Sequence, residues 1–152
     1  MKWIRKFLHL SWADRWLLIE AFFLLIAIQG GLYFLPFVNL KRILNQFIDW
    51  QIRLPFIARP QAQRIPWAVR VASILMPNAT CLPQALAVHF LLLRNGYAAE
   101  LKIGAAKNNA GVLEAHAWVT HEEQIVIGAL RDLDRYIPLS IGQRKAEQRY
   151  DG

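Results

Sequence analysis

The chain has 152 residues, 55% of them hydrophobic, which is enough for one sizeable core with a small annex attached. Its formal charge of +7 is unevenly placed: residues 1–80 carry ten Lys and Arg against three acids (Asp14, Glu20, Asp49), and residues 81–152 carry eight of each. A single cysteine excludes an internal disulfide framework, and four histidines without CxxC or HxxxH spacing exclude a zinc-type cluster, a usage that suits the reducing cytoplasm.

A basic half collects acidic partners. No helix-turn-helix, zinc or glycine-rich signature accompanies the charge, and the cations are interspersed with apolar runs, so nucleic acid is not an expected partner. A peptide or a membrane surface is. Lys2, Arg5 and Lys6 ahead of an apolar stretch imitate a secretory signal, but Asp14, Arg15 and Glu20 interrupt the run and no small-residue cleavage site follows. The expectation is an uncleaved amino end and a cytoplasmic protein.

Residues 12–28 read as a helix of good formers, with Gly30-Gly31 as its stop. Residues 21–40 contain no charge and are long enough to span a bilayer, yet Gln29, the glycine pair and Pro36 fall within them, and basic residues flank both ends. We expect the apolar stretch within residues 16–38 to be buried or to lie against a membrane, in preference to crossing it. Residues 40–52 give an amphipathic helix, with Ile43, Leu44, Phe47, Ile48 and Ile52 on one stripe. Pro55, Pro60 and the polar run between Arg59 and Arg64 then mark a joint between a basic, apolar helical extension (residues 1–60) and the main domain (residues 61–152).

Pro66-Trp67 opens a short helix reaching about Met76. Asn78 or Thr80 is placed to cap a helix that starts near Cys81, tolerates Pro83 in its first turn, carries Leu82, Leu86, Phe90 and Leu93 on one stripe and stops at Asn95-Gly96. Residues 99–105 and 113–120 alternate as half-buried strands around a turn at 107–111, and residues 124–128 form a short third strand after a polar turn at 121–123. A helix followed by an antiparallel meander is an α+β domain.

Free amides at a helix start favour thiolate over thiol and are able to hold an oxyanion, which makes Cys81 a candidate nucleophile. A lone cysteine is commonly no more than a small buried hydrophobe, so the case depends on a partner. His116, midway along the second strand between Ala115 and Ala117, is that candidate base. His9, His89 and His121 are poorly placed to deprotonate Cys81. Asp132, just beyond the third strand, is the candidate to orient His116, with Asp134 in reserve, although the run Arg131–Arg135 also reads as a solvated loop.

Taken together, Ala79-Thr80-Cys81-Leu82-Pro83-Gln84-Ala85-Leu86, Leu101-Lys102-Ile103-Gly104, Ala115-His116-Ala117-Trp118-Val119, and Val126-Ile127-Gly128 leading to Asp132 and Tyr136-Ile137-Pro138-Leu139 resemble the transglutaminase-like leader peptidases of lasso peptide biosynthesis, over about residues 65–140. The resemblance implies a papain- or transglutaminase-like cysteine hydrolase core and a triad of Cys81, His116 and an Asp after the third strand, for which Asp132 matches by pattern and not by fixed spacing. It also implies removal of the leader from a ribosomally made precursor, freeing the amine that an ATP-dependent lasso cyclase closes, and a separate leader-recognition protein of winged-helix type. That scheme needs no cofactor or metal. Two other readings remain open: acyl transfer to an amine by the same triad, and a non-catalytic, membrane-associated adaptor in which Cys81 merely packs.

Overall fold

The computed structural model describes residues 2–51 and 59–139. Five helices precede a small sheet: α1 (Lys2–Leu8), α2 (Trp12–Phe34), α3 (Phe37–Gln51), α4 (Arg64–Ile74) and α5 (Cys81–Arg94), then β1 (Glu100–Lys107), β2 (Leu113–His121), β3 (Gln124–Ile127), a 3-10 turn at Leu133–Arg135 and the two-residue strand β4 (Ile137–Pro138). The sheet is antiparallel throughout, in the order β3-β2-β1-β4. The expected α+β architecture, a helix feeding an antiparallel meander behind amino-terminal helices, is what the chain adopts. Ile52 and Pro55, read as the end of a stripe and part of a joint, lie outside the described residues, as does everything beyond Leu139.

Several boundaries differ from the sequence reading for identifiable reasons. The helix expected to stop at Gly30-Gly31 runs on to Phe34 and ends where Leu35 turns extended (φ −124°, ψ 146°), because proline at position 36 clashes with a helical residue before it. Gly31 has a packing role instead: a Cβ there would sit 2.7 Å from Leu40 Cδ1, so its absence lets α3 fold back closely on α2. In α3 the inward residues are Leu40, Leu44 and Ile48, while Ile43 and Phe47 face outward. Helix α1 was not foreseen; Arg15 steadies its end by donating from Nε to the Leu10 carbonyl (3.0 Å) and from its guanidinium to that of Leu8 (2.8 Å).

One core serves all the layers. Leu17, Ala21, Leu25 and Ile28 of α2 meet Ile65, Ala68 and Val69 of α4 and Leu86, Leu91 and Leu92 of α5, and α5 packs in turn on Ala117 and Val119 of β2 and Ile127 of β3. Two ion pairs at the rim tie α2 down, Asp14 to Arg64 (2.7 Å) and Glu20 to Arg94. The Arg64 hydrogen bond, ahead of the Ser11 one, holds the Asp14 carboxyl below the usual aspartate range against the opposing effect of burial. Gln29 adds a third tie by donating from Nε2 to the Asn78 carbonyl (3.0 Å), which fixes the loop leading into α5.

The helix α5 ends as the Asn-Gly pair requires. Gly96 takes φ +78°, and its N–H and that of Tyr97 return to the carbonyls of Leu93 and Leu92. The β2–β3 hairpin is less comfortable, since Glu122 and Glu123 both hold positive φ (49° and 63°), the geometry of a two-residue turn that favours Asn-Gly. Replacing the pair by Glu122→Asn with Glu123→Gly should therefore stabilise the protein by about 1 kcal/mol, seen as a rise of roughly 2–4 °C in melting temperature.

His89, on α5, has its imidazole pushed down to about 4, by burial first and by the Lys41 charge second, with a backbone hydrogen bond at Ala99 opposing. Between pH 4 and 6.5 the unfolded chain takes up the proton that the folded one refuses, so stability is intact above that window and falls as pH drops through it. The decline should amount to roughly 3 kcal/mol and should be flattened in His89→Gln, as measured by thermal melts across that pH range.

Candidate active site

Cys81 is the first residue of α5 and is partly exposed. Thr80 occupies the N-cap in an extended conformation, but its hydroxyl makes no capping bond. The reason is local: the third helical position, whose N–H an N-cap side chain ordinarily receives, is Pro83, which has none. Gln84 closes the turn instead, its backbone N–H reaching the Thr80 carbonyl (3.4 Å) and its Nε2 the Ala79 carbonyl (2.7 Å). The N–H groups of Cys81 and Leu82, in the first turn of α5, have no acceptor one turn back in the helix.

The strand β2 carries His116. Alternation along it sends Ala117 and Val119 into the core built around α5, and puts His116 with Trp118 on the other face. There the two rings stack (centroids 6.2 Å apart, 16° between planes) and Tyr136 closes over the imidazole at 5.6 Å. Gly104, paired with His116 across β1 and β2, makes room for the arrangement: a Cβ at that position would lie 3.0 Å from the Trp118 ring and 2.9 Å from Tyr136 Cβ. His116 thus sits at mid-strand, opposite Gly104 of β1, on the face of the sheet turned away from the core around α5.

His116 Nε2 is 2.7 Å from the Gly128 carbonyl oxygen. A carbonyl only accepts, so Nε2 carries a proton and donates; whenever the ring is neutral, its lone pair is then on Nδ1. Gly128 follows β3 with φ +81°, and a side chain there would run into the Ala117 carbonyl and the Trp118 backbone. The sequence placed Gly128 inside the third strand, and nothing in it marked the Gly128 carbonyl as an acceptor for His116.

The candidates are not joined to one another. Asp132 caps the 3-10 turn and its carboxylate is bound to Arg135 (2.6 Å). Asp134 lies within the same turn. Among the described residues no hydrogen bond links Cys81 to His116, and no ion pair links His116 to Asp132 or Asp134. His121 points to the Ala98 carbonyl (2.5 Å) at the far end of the sheet, beside a polar hollow of about 440 Å³ lined by Glu100, Lys102 and Thr120. The hollow touches none of Cys81, His116 or Asp132.

A thiol at a helix mouth, followed by a sheet with histidine on its second strand, is an arrangement with a counterpart among known sequences: the Transglutaminase-like superfamily profile matches residues 52–140. The chain belongs to that superfamily, whose members are in general cysteine hydrolases and acyl transferases. No curated protein and no solved structure matches it. The matched stretch includes Cys81, His116 and Asp132, while α1, α2 and α3 all precede it.

The Gly128 contact yields a direct prediction. Gly128→Ala forces a side chain against backbone at a positive φ, so it should cost about 2 kcal/mol or more in denaturant unfolding. The same change should alter the nitrogen shifts of the His116 ring, which in the unaltered protein should report a protonated Nε2.

Proposed function

We propose that the protein is a cysteine peptidase that removes the leader from a ribosomally synthesised lasso peptide precursor, with Cys81 as nucleophile and His116 as base. The observation that carries the reading is the order of chemistry-bearing blocks inside the matched stretch: Cys81 opening α5 with unpaired amides beside it, His116 within Ala-His-Ala-Trp-Val on β2, and Tyr136-Ile137-Pro138-Leu139 closing the sheet. The Gly128 contact, which occupies Nε2 and so leaves Nδ1 to take the proton, supports the role given to the histidine.

In this mechanism Nδ1 of His116 takes the Cys81 proton, and the thiolate attacks the carbonyl at the leader–core junction. The N–H of Cys81 receives the oxyanion, a contribution on the order of 3 kcal/mol per donor. The imidazolium then protonates the departing amine, and water hydrolyses the thioester to release the leader as a free acid. Sγ and Nδ1 have to meet for the first step. A separate winged-helix recognition protein would present the leader, and an ATP-dependent cyclase would take the freed amine.

Two groups compete to orient His116: Asp132, which suits the family pattern, and the Gly128 carbonyl, which makes the contact. Incubation with a lasso precursor and its recognition protein should give leader and core fragments. Cys81→Ala and His116→Ala should each lower the rate at least roughly a thousandfold while leaving the fold intact. Loss in Asp132→Ala assigns the third role to the carboxylate, and full activity leaves it with the carbonyl.

Iodoacetamide tests the pair without a substrate. If thiol and imidazole share a proton, alkylation of Cys81 near pH 6.5 should slow at least roughly tenfold in His116→Ala. An unchanged rate separates the two residues and removes the peptidase reading. Adding a labelled amine to the precursor reaction separates transfer from hydrolysis, since an amide product in place of the free acid would make the protein an acyltransferase.

A further inference from the structure

Helix α2 is apolar on every side, with mean hydropathy 2.0 over its most apolar window, long and apolar enough to cross a membrane by length and composition. A helix of that kind is ordinarily covered all round. Here one stripe, Leu17, Ala21, Leu25 and Ile28, enters the core, and the opposite one has no cover among the described residues. Trp12, Trp16, Ile19, Phe23, Ile26 and Tyr33 follow one another at intervals of three, four or seven residues, which aligns them along a single outward face. Their exposure is large, at 78% for Trp12, 64% for Phe23 and 84% for Tyr33. At 1.5 Å per residue the stripe is about 30 Å long.

From this stripe and the charge on the helices before and after it, we propose that the outward face of α2 docks in the plane of an anionic lipid surface. Charge complementarity selects that occupant. Asp14 and Glu20, the two acids on α2, are held by Arg64 and Arg94. Lys2, Arg5 and Lys6 on α1 and Arg42 on α3, the helices either side of α2 in the chain, are exposed cations opposed by Asp49 alone among the acids of residues 2–51. A tryptophan- and phenylalanine-bearing face accompanied by cations is the composition of helices that lie in the headgroup region.

Crossing the bilayer is a different arrangement, and the same contacts oppose it. Spanning would carry the Asp14–Arg64 and Glu20–Arg94 pairs and the packed helices α4 and α5 into hydrocarbon, or strip α2 out of the core it completes. The proposal is independent of the peptidase reading, because it uses none of Cys81, His116 or Asp132.

The test is sedimentation of the full chain with vesicles of phosphatidylcholine and phosphatidylglycerol at 3:1, and with phosphatidylcholine alone. Binding to the anionic vesicles is expected, at least tenfold weaker without phosphatidylglycerol or in 0.5 M salt, with release by alkaline carbonate. Trp16→Glu with Phe23→Glu, both on the exposed face, should abolish binding with the melting temperature unchanged. Absence of binding to the anionic vesicles, equal binding by the double variant, or retention through carbonate as an integral protein would each overturn the proposal. So would a dimer in sedimentation equilibrium that the double variant dissociates, since the face would then belong to a second copy.

Discussion

Burial of α5 governs the rest of the structure, because this helix is the element every layer touches. Ala85, Leu86, Val88, Leu91 and Leu92 are enclosed between α2 and α4 on one side and β2 on the other. Each large apolar side chain buried in this way contributes roughly 1.5–3 kcal/mol. With its body clamped, the helix has little freedom at its first residue, and the position of Cys81 follows from packing further along. The Gln29–Asn78 and Gln84–Ala79 hydrogen bonds extend that constraint into the preceding loop.

Such rigidity has a consequence for the histidine. The alternation that drives Ala117 and Val119 into the core also decides which way His116 leaves the strand, so its direction is a by-product of core packing. What remains adjustable is the ring itself, held by one acceptor and two aromatic neighbours. Trp118 and Tyr136 restrict its tilt, and Gly104 is the vacancy that allows them to do so. An imidazole packed in this manner is set by backbone and aromatic surfaces, with no carboxylate in contact among the described residues.

Much of this was legible beforehand. Strand alternation identified β1, β2 and β3 to within two residues at each end, and the Asn95-Gly96 stop of α5 was readable because only a few residue types tolerate its geometry. The glycine pair at 30 and 31 misled, since glycine is as useful for close helix packing as for a helix end, and only the position of Leu40 decides between them. The two-residue strand β4 and the Gly128 carbonyl were invisible because each depends on pairing between segments distant in sequence. Asp132 illustrates the converse: a charged run carried the right residue type, but Arg135, three positions on, claims its carboxylate in the structure.

The shortness of β4 leaves a mark on the outer border of the sheet. It covers β1 only at Gly104 and Ala105, with Leu139 adding one bond to the Ile103 carbonyl, so the opening residues of that border have no neighbour among the described residues. Glu100 and Lys102 stand there, joined by a 3.4 Å ion pair. A stray strand that tried to extend the ladder would have to displace their water along with its own, and paired charges at a frayed margin are how soluble sheets discourage growth into fibres.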